Sequence, residues 1–177
     1  MCLKILPCWT CAIHWCACVI PCRLIEHDFF VSCAGTYASG ELYVVKEVDE
    51  DNHVRYEFTD KEGRIVLTRS INGNEGMDDT YYIYDIFGNL RVVLPPMCSA
   101  NFFYSGSLTD SASVLSDYAF LYKYDTRNRC IGKKQPGCEW VELVYDRCDR
   151  LIFTQNGKER ANNEWAFIWK ICQGGLC

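Results

Sequence analysis

The chain has 177 residues, 49% of them apolar and 14% aromatic, enough for one domain with its own core. Its formal charge of -5 is dispersed, with no Lys/Arg cluster able to neutralise a row of phosphates, so the composition gives nucleic-acid binding no support. The aromatics fall with Val, Ile and Thr in short runs rather than at helical spacing, which favours strands.

Cysteine is abundant and uneven. Of 13, seven lie between Cys2 and Cys33, and an odd total argues against a complete intramolecular disulfide framework. Residues 1–25 hold an apolar run from Ile5 to Ile20 that has the character of a secretory h-region. Pro7 and His14 interrupt it, it is shorter than the ~20 residues that span a bilayer, and no small-x-small cleavage site comes after it. Cys8, Cys11, His14, Cys16 and Cys18 are soft ligands close together, but a structural zinc site takes two ligand pairs separated by a folded loop. Residues 1–36 therefore read best as a Cys-rich apolar leader foreign to the rest of the chain, and a membrane enters only through an N-terminal signal.

The remaining chain repeats itself. FTDKEGRIVL from Phe58, IYDIFGNLRV from Ile83, KYDTRNRCIG from Lys123 and VYDRCDRLIF from Val144 align on Asp60, Asp85, Asp125 and Asp146, at intervals of 25, 40 and 21 residues. An Asp opening a type I turn accepts from the backbone N–H two residues on, and the residue three later must then enter the left-handed region. That residue is Gly63, Gly88, Asn128 or Asp149, the three types that tolerate positive φ at least cost. Each unit is thus predicted to be a β-hairpin. The first has Thr59 where the others have Tyr, which leaves its register open by one residue.

Alternation supplies the faces. Tyr82 and Tyr84, Tyr122 and Tyr124, and Leu143 and Tyr145 fall on one face before the turns; Ile65 and Leu67, Leu90 and Val92, and Leu151 and Phe153 do so after them. Lys123, Glu142 and Arg91 fall on the other, as in a sheet solvated on one side. Pro95-Pro96 stops the second strand of its hairpin, because two prolines remove ladder donors. An insertion comes next, in which Thr109 or Asp110 caps a short helix over 109–117. NGNEGMDD from Asn72, KKQPG from Lys133 and QNGKE from Gln155 read as loops.

The pattern Y-D-x-x-G-R/N-L resembles the YD repeat of the Rhs (rearrangement hotspot) family, from about Tyr37 to Lys170, with 171–177 a non-repeat tail. It is most specific at YYIYDIFGNLRVVLPP and YKYDTRNRCIGKKQPGCEWVELVYDRCDRLIF, and most like the large Rhs proteins of Bacteroides-type bacteria. The resemblance implies an all-β fold of consecutive antiparallel hairpins joining into a curved sheet, in full-length members a hollow shell. It also implies secretion or surface display, further Rhs repeats as partners, and in some members an enclosed toxin domain. About four units are too few to close a shell, and no self-cleaving segment is present, so the chain reads as a fragment of such a wall.

Asp85, Asp125 and Asp146 invite comparison with glycosidase carboxylates, but a catalytic pair needs two different environments and these share one turn position. No cofactor is expected and no catalytic residue is assigned. The aromatic face (Tyr82, Tyr84, Tyr122, Tyr124 and Tyr145) reads as core or, alternatively, as a carbohydrate platform, a use the resemblance also suggests. Arg64, Arg129 and Arg150 are expected to pair with neighbouring acids at little gain each.

Overall fold

Each Asp-opened turn reverses the chain locally, so successive strands must pair with their sequence neighbours. A computed structural model of the chain describes residues 4–7, 22–25, 30–33, 37–71, 77–105, 107–108 and 113–168. In chain order its strands are β1 (Lys4–Pro7), β2 (Cys22–Ile25), β3 (Phe30–Cys33), β4 (Tyr43–Val48), β5 (Val54–Thr59), β6 (Ile65–Ile71) and β7 (Met77–Tyr84). They continue as β8 (Leu90–Leu94), β9 (Ser107–Leu108), β10 (Phe120–Tyr124), β11 (Cys130–Lys134), β12 (Val141–Tyr145), β13 (Leu151–Gln155) and β14 (Ala166–Phe167). Eleven form one antiparallel sheet in the order β1-β4-β5-β6-β7-β8-β10-β11-β12-β13-β14, and β2, β3 and β9 form a second. The class is all-β, as consecutive hairpins. Among the described residues no helix is long and apolar enough to cross a membrane.

Register decides where the core lies. The pairs Val44 to Phe58, Phe58 to Leu67, Leu67 to Tyr81 and Tyr81 to Leu94 carry one stripe of side chains across five strands. Ile83 to Val92 and Val92 to Leu121 carry a parallel stripe one step along. All these residues are buried. Complete burial of such a side chain contributes roughly 1.5–3 kcal/mol, so this face organises the fold. It is covered by Val31 of β3 and by two helices, α1 (Pro96–Ser105) and α2 (Ser113–Tyr118), through Cys98 and Leu115. Of the expected helix over 109–117, α2 holds the part from Ser113 on, the cap candidates Thr109 and Asp110 lie outside the described residues, and α1 precedes it. Pro95-Pro96 ends β8 and also starts α1, because a proline at the first helical position loses no hydrogen bond there.

The expected division into an apolar Tyr face and a solvated face is corrected twice. In all four hairpins the register slips on the returning strand: Thr59 faces Ile65 but Phe58 faces Leu67, Tyr84 faces Leu90 but Ile83 faces Val92, and the third and fourth units do the same. One extra residue (Val66, Arg91, Ile131 or Ile152) is accommodated, so Ile65 and Leu67, or Leu90 and Val92, point to opposite faces. The second correction concerns which face is buried. Lys123 and Glu142 lie on the face that holds Tyr81, Val92 and Leu121, because Leu121 and Lys123 are two apart on β10 and Lys123 and Glu142 both face Gly132. That face is core where α1, α2 and β3 cover it and open beyond β10.

One polar pair lies within the core. Arg69 on β6 faces Asp79 on β7; Nε and Nη2 donate to the two carboxylate oxygens at 2.6 Å each, and both residues are buried. Ser99 of α1 donates through Oγ to the Asp79 carbonyl at 2.8 Å. The loop QNGKE holds α3 (Gly157–Ala161), with a capping box between Asn156 and Glu159.

Candidate functional site: a row of braced turns

The four turns share one hydrogen-bond plan. Asp60 Oδ1 accepts from the N–H groups of Glu62 and Arg64 at 2.9 Å, Gly63 N–H donates to the Asp60 carbonyl at 3.1 Å, and Asp60 N–H donates to the Arg64 carbonyl at 2.9 Å. Asp85, Asp125 and Asp146 make the same four bonds with the residues two, three and four positions on. The third residue is left-handed in each, with φ of 80° at Gly63, 82° at Gly88, 59° at Asn128 and 61° at Asp149.

A fifth copy has no counterpart among the four sequence repeats. Asp49 Oδ1 accepts from Asp51 and His53, and Asn52 has φ 63°. Val48 precedes it instead of an aromatic residue or Thr; Asp followed three residues later by Asn was the usable signal. This turn joins β4 to β5, so it emerges from the end of the sheet opposite the other four, and its strands pair without a bulge.

Each unit is tied to the next by the residues flanking its Asp. The Tyr84 hydroxyl donates to the Ile65 carbonyl of the preceding hairpin at 3.0 Å, and the Arg64 guanidinium lies 5.3 Å from the Tyr84 ring centre. Two units later the Tyr145 hydroxyl donates to the Cys130 carbonyl at 2.9 Å, with Arg129 5.2 Å from its ring centre. In each case Tyr of one unit is clamped between the carbonyl five residues after the preceding Asp and the Arg four residues after it. Such a hydrogen bond contributes about 1 kcal/mol and the stacked cation about 0.5–2. Between the second and third units Asn89 replaces Arg, and Asn89 Nδ2 instead donates to Asn128 Oδ1 at 3.0 Å. Arg127 and Arg129 bridge onward to Asp149 Oδ1 at 3.0 and 2.7 Å. Of the arginines expected to pair with neighbouring acids, Arg64 and Arg129 thus also join units, while Arg150 pairs with Asp146 of its own turn. Tyr145→Phe is expected to lower stability by about 1 kcal/mol, read as a shift in urea midpoint at unchanged slope.

The carboxyls of Asp60, Asp125 and Asp146 are held below their ordinary range. At Asp125 and Asp146 the largest cause is the backbone N–H of Arg129 or Arg150, aided by the guanidinium of the same residue. At Asp60 burial acts in the opposite sense, and the Arg64 hydrogen bonds outweigh it. Lowered folded-state values mean stability that is present above the unfolded value of about 4 and lost as pH falls through the folded values. The urea midpoint is thus expected to be flat from neutrality to about pH 5 and to fall below about pH 4. Combined Asp60→Asn, Asp125→Asn and Asp146→Asn substitution should flatten that fall; a wild-type fall centred near pH 6 would assign it to other groups.

Burial pushes the Cys98 thiol up to about 11 and raises that of Cys130, the reverse of an activated thiolate. His53 lies against Asp49 at 2.9 Å; His14, His27 and the zinc candidates Cys8, Cys11 and Cys16 fall outside the described residues. Among the described residues no cluster of His, Cys, Asp or Glu could hold a metal. Tyr82, Tyr84, Tyr122, Tyr124 and Tyr145 are all half-buried, and Tyr84 and Tyr145 have both hydroxyl and ring engaged. Beyond the covered core, an open hollow that the sequence did not suggest is lined by Lys123, Trp140, Val144 and Arg160 and also by Arg129 and Tyr145 of the brace.

No protein-family model matches the chain, and no curated protein does. Among solved structures it is similar to a chain of the Photorhabdus luminescens Tc holotoxin pore, at 16% identity and a TM-score of 0.49. That likeness covers 72% of this chain and 7% of the other.

Proposed function

We propose that the chain is a non-catalytic, structural β-repeat segment of an exported protein of Rhs type, contributing wall to a larger assembly. The observation that carries this reading is the brace between units: the Tyr beside Asp and the Arg after the turn are occupied in holding the neighbouring hairpin. A motif that recurs to join copies of itself has an architectural role, and its natural partners are further units of the same kind. Each Tyr tied to a carbonyl of the preceding hairpin is also withdrawn from stacking on a sugar ring, which speaks against the carbohydrate platform.

A glycan array probed with the intact chain tests the proposal, with circular dichroism as the control for β-structure. The expected result is no saturable binding. Specific binding that disappears in Tyr122→Ala, with the β-spectrum kept, would replace the wall by a carbohydrate-binding module.

A further inference from the structure

Burial divides the sheet unevenly. Phe58, Leu67, Ile83, Val92, Leu94 and Leu121 are buried on β5 to β8 and β10, but among the described residues no apolar side chain after Leu121 is buried. Residues 139–168 are tied to one another instead. Gln155 is buried and donates through Nε2 to the Glu164 carbonyl at 2.8 Å. Arg160 donates through Nη2 to the Trp140 carbonyl at 3.1 Å and pairs with Glu142 at 3.1 Å. The Phe153 and Phe167 rings meet edge to face with centres 4.8 Å apart. Gly157 opens α3 so close to Glu139 that a Cβ there would lie 2.6 Å from the Glu139 Cβ. The hairpin β12–β13, α3 and β14 thus close on themselves.

The seam joining this body to the rest of the sheet is thin. β11 and β12 pair through Gly132 with Glu142 and Lys133 with Val141, whereas β5 and β6 pair all the way from Val54 with Ile71 to Thr59 with Ile65. Beyond that short ladder the seam holds the Tyr145 hydroxyl on the Cys130 carbonyl, the bridges from Arg127 and Arg129 to Asp149, and the Trp140 ring against Gly132 and Lys123. The Asp149 side chain is 59% exposed, where an ion pair contributes little. Trp140 is half-buried at the margin of the core. A region with few buried apolar contacts opens at a lower free energy than the core beside it. We propose that residues 139–168 detach from β11 and redock as one body while β4 to β11 stay folded. Detachment turns β11 (Cys130–Lys134) into an edge strand whose backbone groups are open to a strand of another chain. The inference rests on packing alone and is independent of the wall reading.

Amide hydrogen exchange of the full chain in reductant, followed by mass spectrometry at neutral pH, tests it. The expected result is that β12 and β13 exchange together, at one rate well above that of β5 to β8. Tyr145→Phe should accelerate the β12 and β13 amides about fivefold, the equivalent of one hydrogen bond across the seam. Ile83→Val, a mild cavity in the core, should accelerate β5 to β8 about fivefold and leave β12 and β13 at the wild-type rate, because their opening leaves Ile83 packed. Protection of β12 and β13 equal to that of β5 to β8 overturns the proposal. So does an Ile83→Val variant in which both groups accelerate alike, since the sheet would then open only as a whole. Exchange that is fast at β13 and slow at β12 would also overturn it, as the mark of fraying from the edge and not of one body leaving.

Discussion

Asp79→Ala should be the most damaging single substitution on the polar side of the core, lowering stability by about 3–5 kcal/mol. The carboxylate neutralises Arg69, whose guanidinium donates to it twice at 2.6 Å in a setting where Arg69 is 3% exposed. Removing it takes away the anion that offsets the desolvation cost of that cation beneath α1. Asp79→Ala with Arg69→Met should recover most of the loss, because well-packed apolar residues replace a buried pair at little cost. Denaturant titration of the two single variants and the double variant measures the coupling between the sites. A double variant as unstable as the worse single one would mean that the pair matters through its shape rather than its charge.

Substitution at Gly88 separates backbone strain from packing. Its φ is +82°, and a Cβ built on it would meet nothing within 4 Å, so no side chain added there clashes with a neighbour. Gly88→Val should nevertheless cost about 1–2 kcal/mol, since a β-branched residue is strained in the left-handed region. Gly88→Asn should cost less than about 0.5 kcal/mol, because Asn tolerates that conformation and the unfolded chain loses freedom relative to Gly. The third unit already holds Asn128 in this position at φ 59°. Equal thermal midpoints for Val and Asn would show that the turn relaxes into another geometry.

Legibility in the sequence depends on the range of the forces. A hairpin turn closed by bonds from Asp to the residues two, three and four ahead is a local object, so its signature survives in a ten-residue window. The Asp49 copy stands outside the repeat pattern because that pattern includes an aromatic residue or Thr before the Asp, a requirement set by the brace and not by the turn. The bulge after each turn left no composition cue: Val66, Arg91, Ile131 and Ile152 share no property. Yet that one residue sends Leu67 and Val92 into the core while Ile65 and Leu90 face the other way. Alternation counted without it assigned half of each returning strand to the wrong side.

The all-β class and the run of consecutive antiparallel hairpins were already contained in the order of amino acids, since both arise from turn chemistry and short-range pairing. Which face of the sheet is core depended instead on long-range packing. The covering elements α1, α2 and β3 come from the insertion and from far upstream, and they reach only part of the sheet, so one face holds both the buried Leu121 and the open hollow beside Lys123. Long-range packing also turned the recurrent Tyr and Arg into a clamp between units, because their partners lie on the adjacent hairpin, 15 to 20 residues away along the chain. No local window contains both halves of that contact.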